Sequence, residues 1–197
     1  MFQEIRSALG LLIFFTILTG IAYPLLMTTT GQWLFPHQAN GSLVEVNGKI
    51  IGSELIGQKF SSDKYFHSRP SSAGNGYDAA NSSGSNLSPT SKKLMDSVSA
   101  RVADLRKSGS TRPIPVDLVT ASGSGLDPDI SVESANFQAQ RIAQTRGLSL
   151  QEVENLISIN TAPRTFGVLG EKRVNVLAIN RALDLLPSVP QTSPVVP

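Results

Sequence analysis

The sequence predicts a single N-terminal transmembrane helix followed by an α+β extracytoplasmic domain. Three observations support this fold class. No Asp, Glu, Lys or Arg occurs between Arg6 and Glu45, and residues 8–27 within that gap are almost wholly apolar. The rest of the chain alternates short strand-like runs, helical periodicities and loops rich in Ser, Gly, Asn and Pro. The predicted organisation is a short cytoplasmic tail (1–7), the transmembrane helix (8–27), an interfacial segment (28–42), the α+β domain (43–186) and a flexible proline-rich tail (187–197).

Residues 8–27 have the length and the composition of a membrane span. About 20 apolar residues cross a hydrocarbon core when they are helical. A core helix of a soluble domain would show a polar face, and this segment has none. A cleaved signal peptide is the closest alternative, but its apolar region is usually about 7–15 residues long and ends at a small-x-small site. Tyr23 and Trp33 suit the membrane interface, and Arg6 favours a cytoplasmic N-terminus with the body outside.

A hairpin and a long polar loop are predicted after the membrane segment. The runs LVEV and KII flank Asn47-Gly48, a pair that supplies the positive φ angles of a two-residue turn. Residues 67–91 then carry little apolar content besides Tyr77 and Leu87. The segment is either a flexible connection or a functional loop, since long loops inside compact domains are usually functional.

A helix and a strand are predicted next. The helix would begin at Ser88-Pro89, because a cap followed by Pro at the first helical position favours a start, and Gly109 would end it. One face of this helix would carry Leu94, Val98, Val102 and Leu105. The run PVDLVT, residues 115–120, is typical of a strand.

Three further helices have clear start and stop signals. Their capping residues are typical of helix termini, and their apolar residues recur at helical spacing. The signals are Ser131 with Gly147, Ser149 with its capping-box partner Glu152, and Asn175 with Pro187. The inward face predicted for the last helix consists of Val176, Ile179, Leu183 and Leu186. Together with the strands, these helices predict an α+β domain.

Composition and motifs exclude several functions. The chain has 197 residues, no Cys and a net charge of +2, which excludes multidomain enzymes, Cys-ligated zinc sites and thiol nucleophiles and argues against nucleic-acid binding. The DKTGT-like context of a P-type pump is absent, and GVLGEK lacks the spacing of a Walker loop. His67 has no accompanying nucleophile elbow, and its spacing from Asp63 and Asp78 does not require a metal. We predict no catalytic or metal-ligating residues.

A bare GxG motif follows the predicted strand, within the run Ser122, Gly123, Ser124 and Gly125. Its amides could face a phosphate if the loop lay at a helix start. The third glycine of the dinucleotide fingerprint is missing, however, and a tight turn also explains the pair. Both interpretations stay open at this point.

Six strings stand out in order along the chain. They are GQWLFPHQANGSL (31–43), GQKF (57–60), YFHSRPSS (65–72), YDAANSSGSNLSP (77–89), DLVTASGSGLDPDIS (117–131) and VNVLAINRALD (174–184). Together they resemble the C subunit of the bacterial high-affinity potassium-transporting P-type ATPase, the Kdp complex. The resemblance runs from the apolar segment to residue 184 and leaves out the proline-rich tail.

The resemblance implies a non-catalytic accessory subunit with one membrane helix. Such a subunit joins a channel-like potassium-binding subunit, a P-type ATPase catalytic subunit and a very small membrane subunit, and it assists their assembly. ATP hydrolysis and potassium selectivity belong to the two large subunits. The C subunit is also commonly described as binding ATP, for which residues 122–125 are the candidate. No intrinsic cofactor is implied.

We expect the body to dock on the external face of the channel-like subunit. Trp33 and Phe35 would hold the domain to the lipid surface. The loop residues expected at the interface are Tyr65, His67, Arg69, Asn81 and Asn86. These residues could equally serve internal folding. The alternative function is a stand-alone membrane-anchored periplasmic enzyme or binding domain.

Overall fold

A computed structural model describes residues 2–107 and 110–186 and divides the chain into two compact units. The first is Met1–Ser53 and the second is Glu54–Pro197. The predicted domain begins at residue 43, whereas the structure draws the boundary after Ser53. Gly109, the predicted end of the first body helix, and the tail from Pro187 lie outside the described residues.

The first unit begins with a long apolar helix. It comprises α1 (Phe2–Ile17), a π-helical segment (Leu18–Ala22) and α2 (Tyr23–Leu34), which together run continuously over 33 residues. The helix is therefore longer than the predicted span, because parts of the predicted tail and of the interfacial segment are also helical. None of its hydrophobic side chains is buried. It is long and apolar enough to cross a membrane.

The π-helical segment lies just before Pro24. Proline has no amide hydrogen, so the helix cannot form its usual bond from residue 24 to the carbonyl of Gly20. A wider turn at this place accommodates the missing bond without ending the helix. The Thr19 hydroxyl donates to the Phe15 carbonyl at 2.6 Å and satisfies one backbone acceptor near the irregular turn.

The predicted hairpin is confirmed. A short helix α3 (Pro36–Ala39) leads into β1 (Leu43–Val46) and β2 (Lys49–Ser53), which pair antiparallel. Asn47 and Gly48 have φ of 51° and 76°, the positive values that a two-residue turn of this kind requires. The register shifts between Val44 and Glu45. The hairpin is grouped with the apolar helix and not with the second unit.

Among its described residues, the second unit contains four helices and a three-stranded sheet, which confirms the α+β class. Its elements are α4 (Lys92–Arg106), a 3-10 turn (Val116–Leu118), β3 (Asp129–Ser131), α5 (Val132–Arg146), α6 (Leu150–Ile159), β4 (Thr161–Ala162), β5 (Arg173–Asn175) and α7 (Val176–Leu185). The antiparallel sheet has the order β3-β5-β4. These three strands, of two or three residues each, are not predicted from the sequence.

The helix caps at the later helices are confirmed. Ser131 accepts from the Ser134 amide at the start of α5, and Gly147 ends that helix with a left-handed φ of 70°. Ser149 and Glu152 form the reciprocal capping box of α6, and the Asn175 side chain caps α7. Each cap satisfies backbone amides that a helix terminus leaves without an intrahelical partner.

Two local predictions are wrong. The first body helix begins at Lys92, because Pro89 lies inside a turn in which the Ser91 amide donates to the Ser88 carbonyl at 2.9 Å. The run 115–120 forms a 3-10 turn and not a strand. There the Asp117 carboxylate accepts from the Ser131 amide at 2.8 Å and from the Ser134 hydroxyl. These bonds tie the run to the start of α5.

The hydrophobic core of the second unit lies between α5, α6, α7 and the sheet. Helix α5 contributes Ile142, α6 contributes Val153 and Ile157, and α7 contributes Ile179 and Leu183, all fully or nearly fully buried. The largest fully buried side chain is Phe66, which belongs to no helix or strand. Residues 54–91 contain neither element, so a loop supplies a central part of the core.

Two buried side-chain amides hold this loop in the core. Asn180 of α7 accepts from the Phe66 amide at 2.8 Å and donates to the Phe66 carbonyl at 3.0 Å. Gln138 of α5 makes the same pair of bonds with His67, at 2.8 and 3.2 Å. Each side chain therefore replaces the partner that a neighbouring strand would otherwise supply to the backbone.

We expect Asn180→Ala to lower the free energy of unfolding by about 2–4 kcal/mol, because it leaves a buried amide and a buried carbonyl of Phe66 without partners. Urea unfolding of the full-length protein in detergent, followed by far-ultraviolet circular dichroism, measures the change. Tryptophan fluorescence would not report this unfolding, because the single tryptophan, Trp33, lies in the first unit. The matched control Asn155→Ala, on the exposed side of α6, should shift the value by at most about 0.5 kcal/mol. Equal losses in both variants would contradict the prediction.

Candidate partner interface

The Tyr65 side chain lies in a cluster of charged groups. Its hydroxyl donates to the Asp184 carboxylate at 3.0 Å, and its ring lies 4.9 Å from the Arg146 guanidinium carbon and 5.2 Å from the Lys64 ammonium. Burial and the neighbouring carboxylate raise the pKa of Tyr65. Arg146 also donates to the Lys64 carbonyl at 2.7 Å and to Asp184 at 2.7 Å. The cluster fastens the loop to the end of α7.

His67 lies half-buried on the same loop. Its Nε2 is 3.2 Å from the Ser62 carbonyl oxygen. Burial is the main cause that lowers the pKa of His67, and the Arg141 cation lowers it further. Both effects favour the neutral imidazole. The backbone amide and carbonyl of His67 are both hydrogen-bonded to the Gln138 side chain. His67 therefore has a structural role that does not depend on what its ring contacts in a complex.

Arg69 lines a cleft of about 500 Å³ next to the 3-10 turn and the sheet. Its guanidinium forms an ion pair with Asp127 at 2.9 Å, and its carbonyl accepts from the Tyr77 hydroxyl at 2.6 Å. Its Nε is buried without a hydrogen-bond partner. On the same cleft Asp129 pairs with Arg173 at 2.9 Å. Burial raises the pKa of Asp129, and Arg173 opposes that shift.

Asn81 and Asn86 lie further along the loop, and both are exposed. The Asn81 side-chain amide donates to the Asp78 carboxylate at 2.6 Å, and this bond is the main cause that lowers the pKa of Asp78. Asn86 adopts a left-handed φ of 50°, which Asn tolerates better than most residues. Four of the five predicted loop residues therefore have internal partners, and their role at a partner interface stays a prediction.

Trp33 and Phe35 belong to the first unit. Trp33 is 80% exposed on the last turn of α2, and Phe35, 59% exposed, separates α2 from α3. Nearby, the Asn40 side-chain amide donates to the Gln32 side chain at 3.1 Å and to the Pro36 carbonyl at 2.7 Å. These bonds fix the turn after the helix. Both aromatic side chains are free to contact lipid or a partner, which stays a prediction.

Residues 122–125 form a tight turn packed against the polar loop. The Ser124 carbonyl accepts from the Ser83 amide and the Ser82 hydroxyl, both at 3.0 Å. Gly125 has a φ of 66°, and a Cβ there would lie 2.6 Å from both the Ala73 nitrogen and the Ser83 oxygen. The turn precedes β3 and not a helix, so no helix start supports a phosphate at this place. ATP binding stays a prediction that the geometry does not test.

An exposed apolar turn, which was not predicted from the sequence, lies between β4 and β5. Phe166 is 89% exposed, Val168 is 74% exposed and Leu169 is 59% exposed. The run TFGVLG, residues 165–170, indicates such a turn, because it places three large apolar residues beside two glycines. It is the most exposed apolar group that we find among the described residues of the second unit.

Two neighbouring glycines of the serine-rich turn should respond differently to a methyl group. Gly125→Ala should cost about 2–4 kcal/mol of unfolding free energy, since it combines a left-handed backbone with a severe overlap. Gly123→Ala meets no atom within 4 Å and should change the value by at most about 0.5 kcal/mol. Urea unfolding of both full-length variants measures the difference. A Gly125→Ala protein as stable as Gly123→Ala would show that the two loops do not pack in this way.

Comparisons with known proteins agree over nearly the whole chain. The family model described as "KdpC: K+-transporting ATPase, c chain" matches residues 5–185. Three relatives carry the description "Potassium-transporting ATPase KdpC subunit". The one from Mycobacterium tuberculosis H37Rv is 54% identical and covers 93% of this chain and 99% of its own. The one from Acidobacterium capsulatum is 56% identical (92% and 98%), and the one from Rhodospirillum rubrum is 54% identical (93% and 96%).

Proposed function

Because this chain belongs to the family of K+-transporting ATPase c chains, we propose that it is a non-catalytic accessory subunit of an ATP-driven potassium import complex. The observation that carries the proposal is the extent of the match, which includes both the apolar helix and the second unit. A protein of this family with one helix of membrane-spanning length is membrane-anchored. We infer that it assists assembly and stabilises the complex.

The geometry of the cleft supports binding over catalysis. Three of its four acidic side chains engage arginines: Asp127 with Arg69, Asp129 with Arg173, and Glu171 with Arg164. The fourth, Asp117, accepts from Ser131 and Ser134 at the start of α5. A carboxylate oxygen that already accepts a hydrogen bond from an arginine is poorly placed to take a proton from a substrate. The cleft is also shallow and lined by charged groups from four separate segments. Such a surface is suited to a polar protein contact.

The proposed partners are a channel-like potassium-binding subunit, a P-type ATPase catalytic subunit and a small membrane subunit. The apolar helix exposes its side chains on all sides, so it needs lipid or partner helices around it. Arg6 and the amino terminus favour a cytoplasmic start, which would place the second unit outside the cytoplasm. From there we propose that it docks on the external face of the channel-like subunit, near the potassium entrance.

A stand-alone anchored enzyme or binding domain is the competing function. It would purify without large membrane partners and would keep its properties in their absence. The subunit proposal requires instead that the chain co-purifies in fixed stoichiometry with the channel-like and ATPase subunits. A variant that keeps the helix but lacks the second unit would then separate two roles of that unit. Assembly of the complex and its transport activity are measured separately, so that a loss of assembly is distinguished from a loss of turnover.

Single-cysteine labelling tests the orientation, because the chain has no natural Cys. We expect Asn81→Cys to react with a membrane-impermeant maleimide applied from outside, since the residue is exposed on the second unit. Gln3→Cys, at the other end of the helix, should react only after the membrane is opened. A photo-crosslinking probe at position 81 should also form an adduct with the channel-like subunit. Labelling of position 81 from the cytoplasmic side alone would end the docking proposal.

ATP binding is a separate proposal, which rests on the family resemblance. If residues 122–125 hold the phosphates, calorimetry of the full-length protein with millimolar ATP should give measurable heat. Gly123→Asp would place a carboxylate in open space beside the phosphates and should weaken binding at least tenfold through repulsion. Asn155→Asp adds the same charge on the exposed side of α6 and should have no effect. Absence of heat from the unaltered protein would contradict the role.

A further inference from the structure

The segment between β4 and β5 forms a projecting turn that we name the apolar arm, residues 163–172. Its tip carries Phe166, Val168 and Leu169, which are 89%, 74% and 59% exposed. Single exposed apolar residues are common on protein surfaces and need no explanation. Three within four consecutive residues form a patch instead, and such a patch usually marks an interaction site.

The arm is held in a fixed conformation by its own bonds. The Thr165 amide donates to the Leu169 carbonyl at 2.9 Å, and the Leu169 amide donates to the Thr165 carbonyl at 3.0 Å. The Gly167 amide donates to the Arg164 carbonyl at 3.0 Å, and Arg164 pairs with Glu171 at 2.6 Å across the base. The tip is therefore preorganised, so a partner that binds it would pay little ordering entropy.

Phe166 adopts a backbone conformation that is unfavourable for its residue type. Its φ is 53°, in the left-handed region that bulky residues rarely occupy. The neighbouring Gly167 and Gly170 also have positive φ, which lets the chain turn tightly around it. The side chain gains almost no packing inside the unit in return, since it is 89% exposed. Strain of this kind without internal compensation points to a function for the presented ring.

The charges around the tip favour a protein partner over lipid. An anionic lipid surface would select unpaired cations beside the apolar residues. Here Arg164 pairs with Glu171, and Arg173, where the arm joins β5, pairs with Asp129, which leaves Lys172 as the single exposed cation of the arm outside these pairs. One cation at the base of the arm is not the cluster of Lys and Arg that anionic lipid headgroups select. The Glu171 side chain is 81% exposed and would be repelled by lipid phosphates. A rigid, nearly neutral tip is complementary to an apolar pocket with a polar rim.

We propose that the apolar arm inserts its tip into an apolar pocket on another protein subunit of the transport complex, with the Phe166 ring as the anchor. This inference rests on the proposed function and assigns its docking surface. The exposed area of the tip is a few hundred Å², less than the roughly 800 Å² that one partner contributes to a standard interface. The arm is thus the central contact of a larger surface, where aromatic anchors usually carry much of the affinity.

The test uses the full-length chain co-expressed with its partner subunits. A photo-crosslinking amino acid at position 166 should form an adduct with a partner subunit, whereas the same probe at position 185 should not. Leu185 is a matched control, because it is an apolar residue that is 84% exposed at the end of α7. Phe166→Ser should raise the dissociation constant for the partner subunits at least tenfold, Phe166→Leu should retain most of the binding, and Leu185→Ser should leave it unchanged.

Each remaining outcome overturns the inference. Adducts of the position 166 probe with lipid alone or with a second copy of this chain would assign the tip another occupant. Unchanged affinity of a Phe166→Ser protein with an unaltered circular dichroism spectrum would remove the ring from the interface. If the probe at position 166 gave no adduct with a partner subunit while a probe at position 81 did, the docking proposal would stand and the proposed role of the arm would be wrong. Failure of the chain to co-purify with any subunit would overturn both proposals.

Discussion

The second unit depends on a pair of buried side-chain amides more than on its small sheet. Asn180 bonds to the backbone amide and carbonyl of Phe66, and Gln138 bonds to the same two groups of His67. These bonds allow an irregular segment to run through the core. Without those bonds, burial of the Phe66 ring would leave backbone groups unsatisfied, and the cost would offset much of the hydrophobic gain. The amides therefore make a loop serve as an interior element.

Two arginines extend this attachment towards the surface. Arg141 donates to the Tyr65 carbonyl at 2.9 Å and to the Gln138 side chain at 2.9 Å, which also fixes the orientation of that amide. Arg146 bonds to the Lys64 carbonyl and to the Leu183 carbonyl. Guanidinium groups suit this task, because several donors in a fixed plane can reach separate acceptors at once. Residues 63–67 are thereby bound to α5 and α7 along their whole length.

This attachment changes how the family-like strings in the loop are understood. In a sequence, conspicuous polar residues such as Tyr65, Arg69 and Asn81 suggest a binding surface, yet each has an internal partner in the structure. Tyr77 joins one such string to another through its bond to the Arg69 carbonyl. The polar motifs thus serve the fold of the loop first. Three strongly exposed apolar side chains lie together elsewhere, on the turn between β4 and β5.

Features that depend on local physics are readable in the amino-acid sequence. These include the apolar helix, the Asn47-Gly48 hairpin, and the caps at Ser131, Ser149 and Asn175, because hydropathy, turn geometry and capping act over a few residues. The other features require the folded chain. The three short strands, the 3-10 turn at Asp117, the burial of Phe66 and the exposure of Phe166 depend on partners far apart in the chain. A buried amide such as Asn180 looks in sequence like any polar helix residue, since its partner lies 114 positions away.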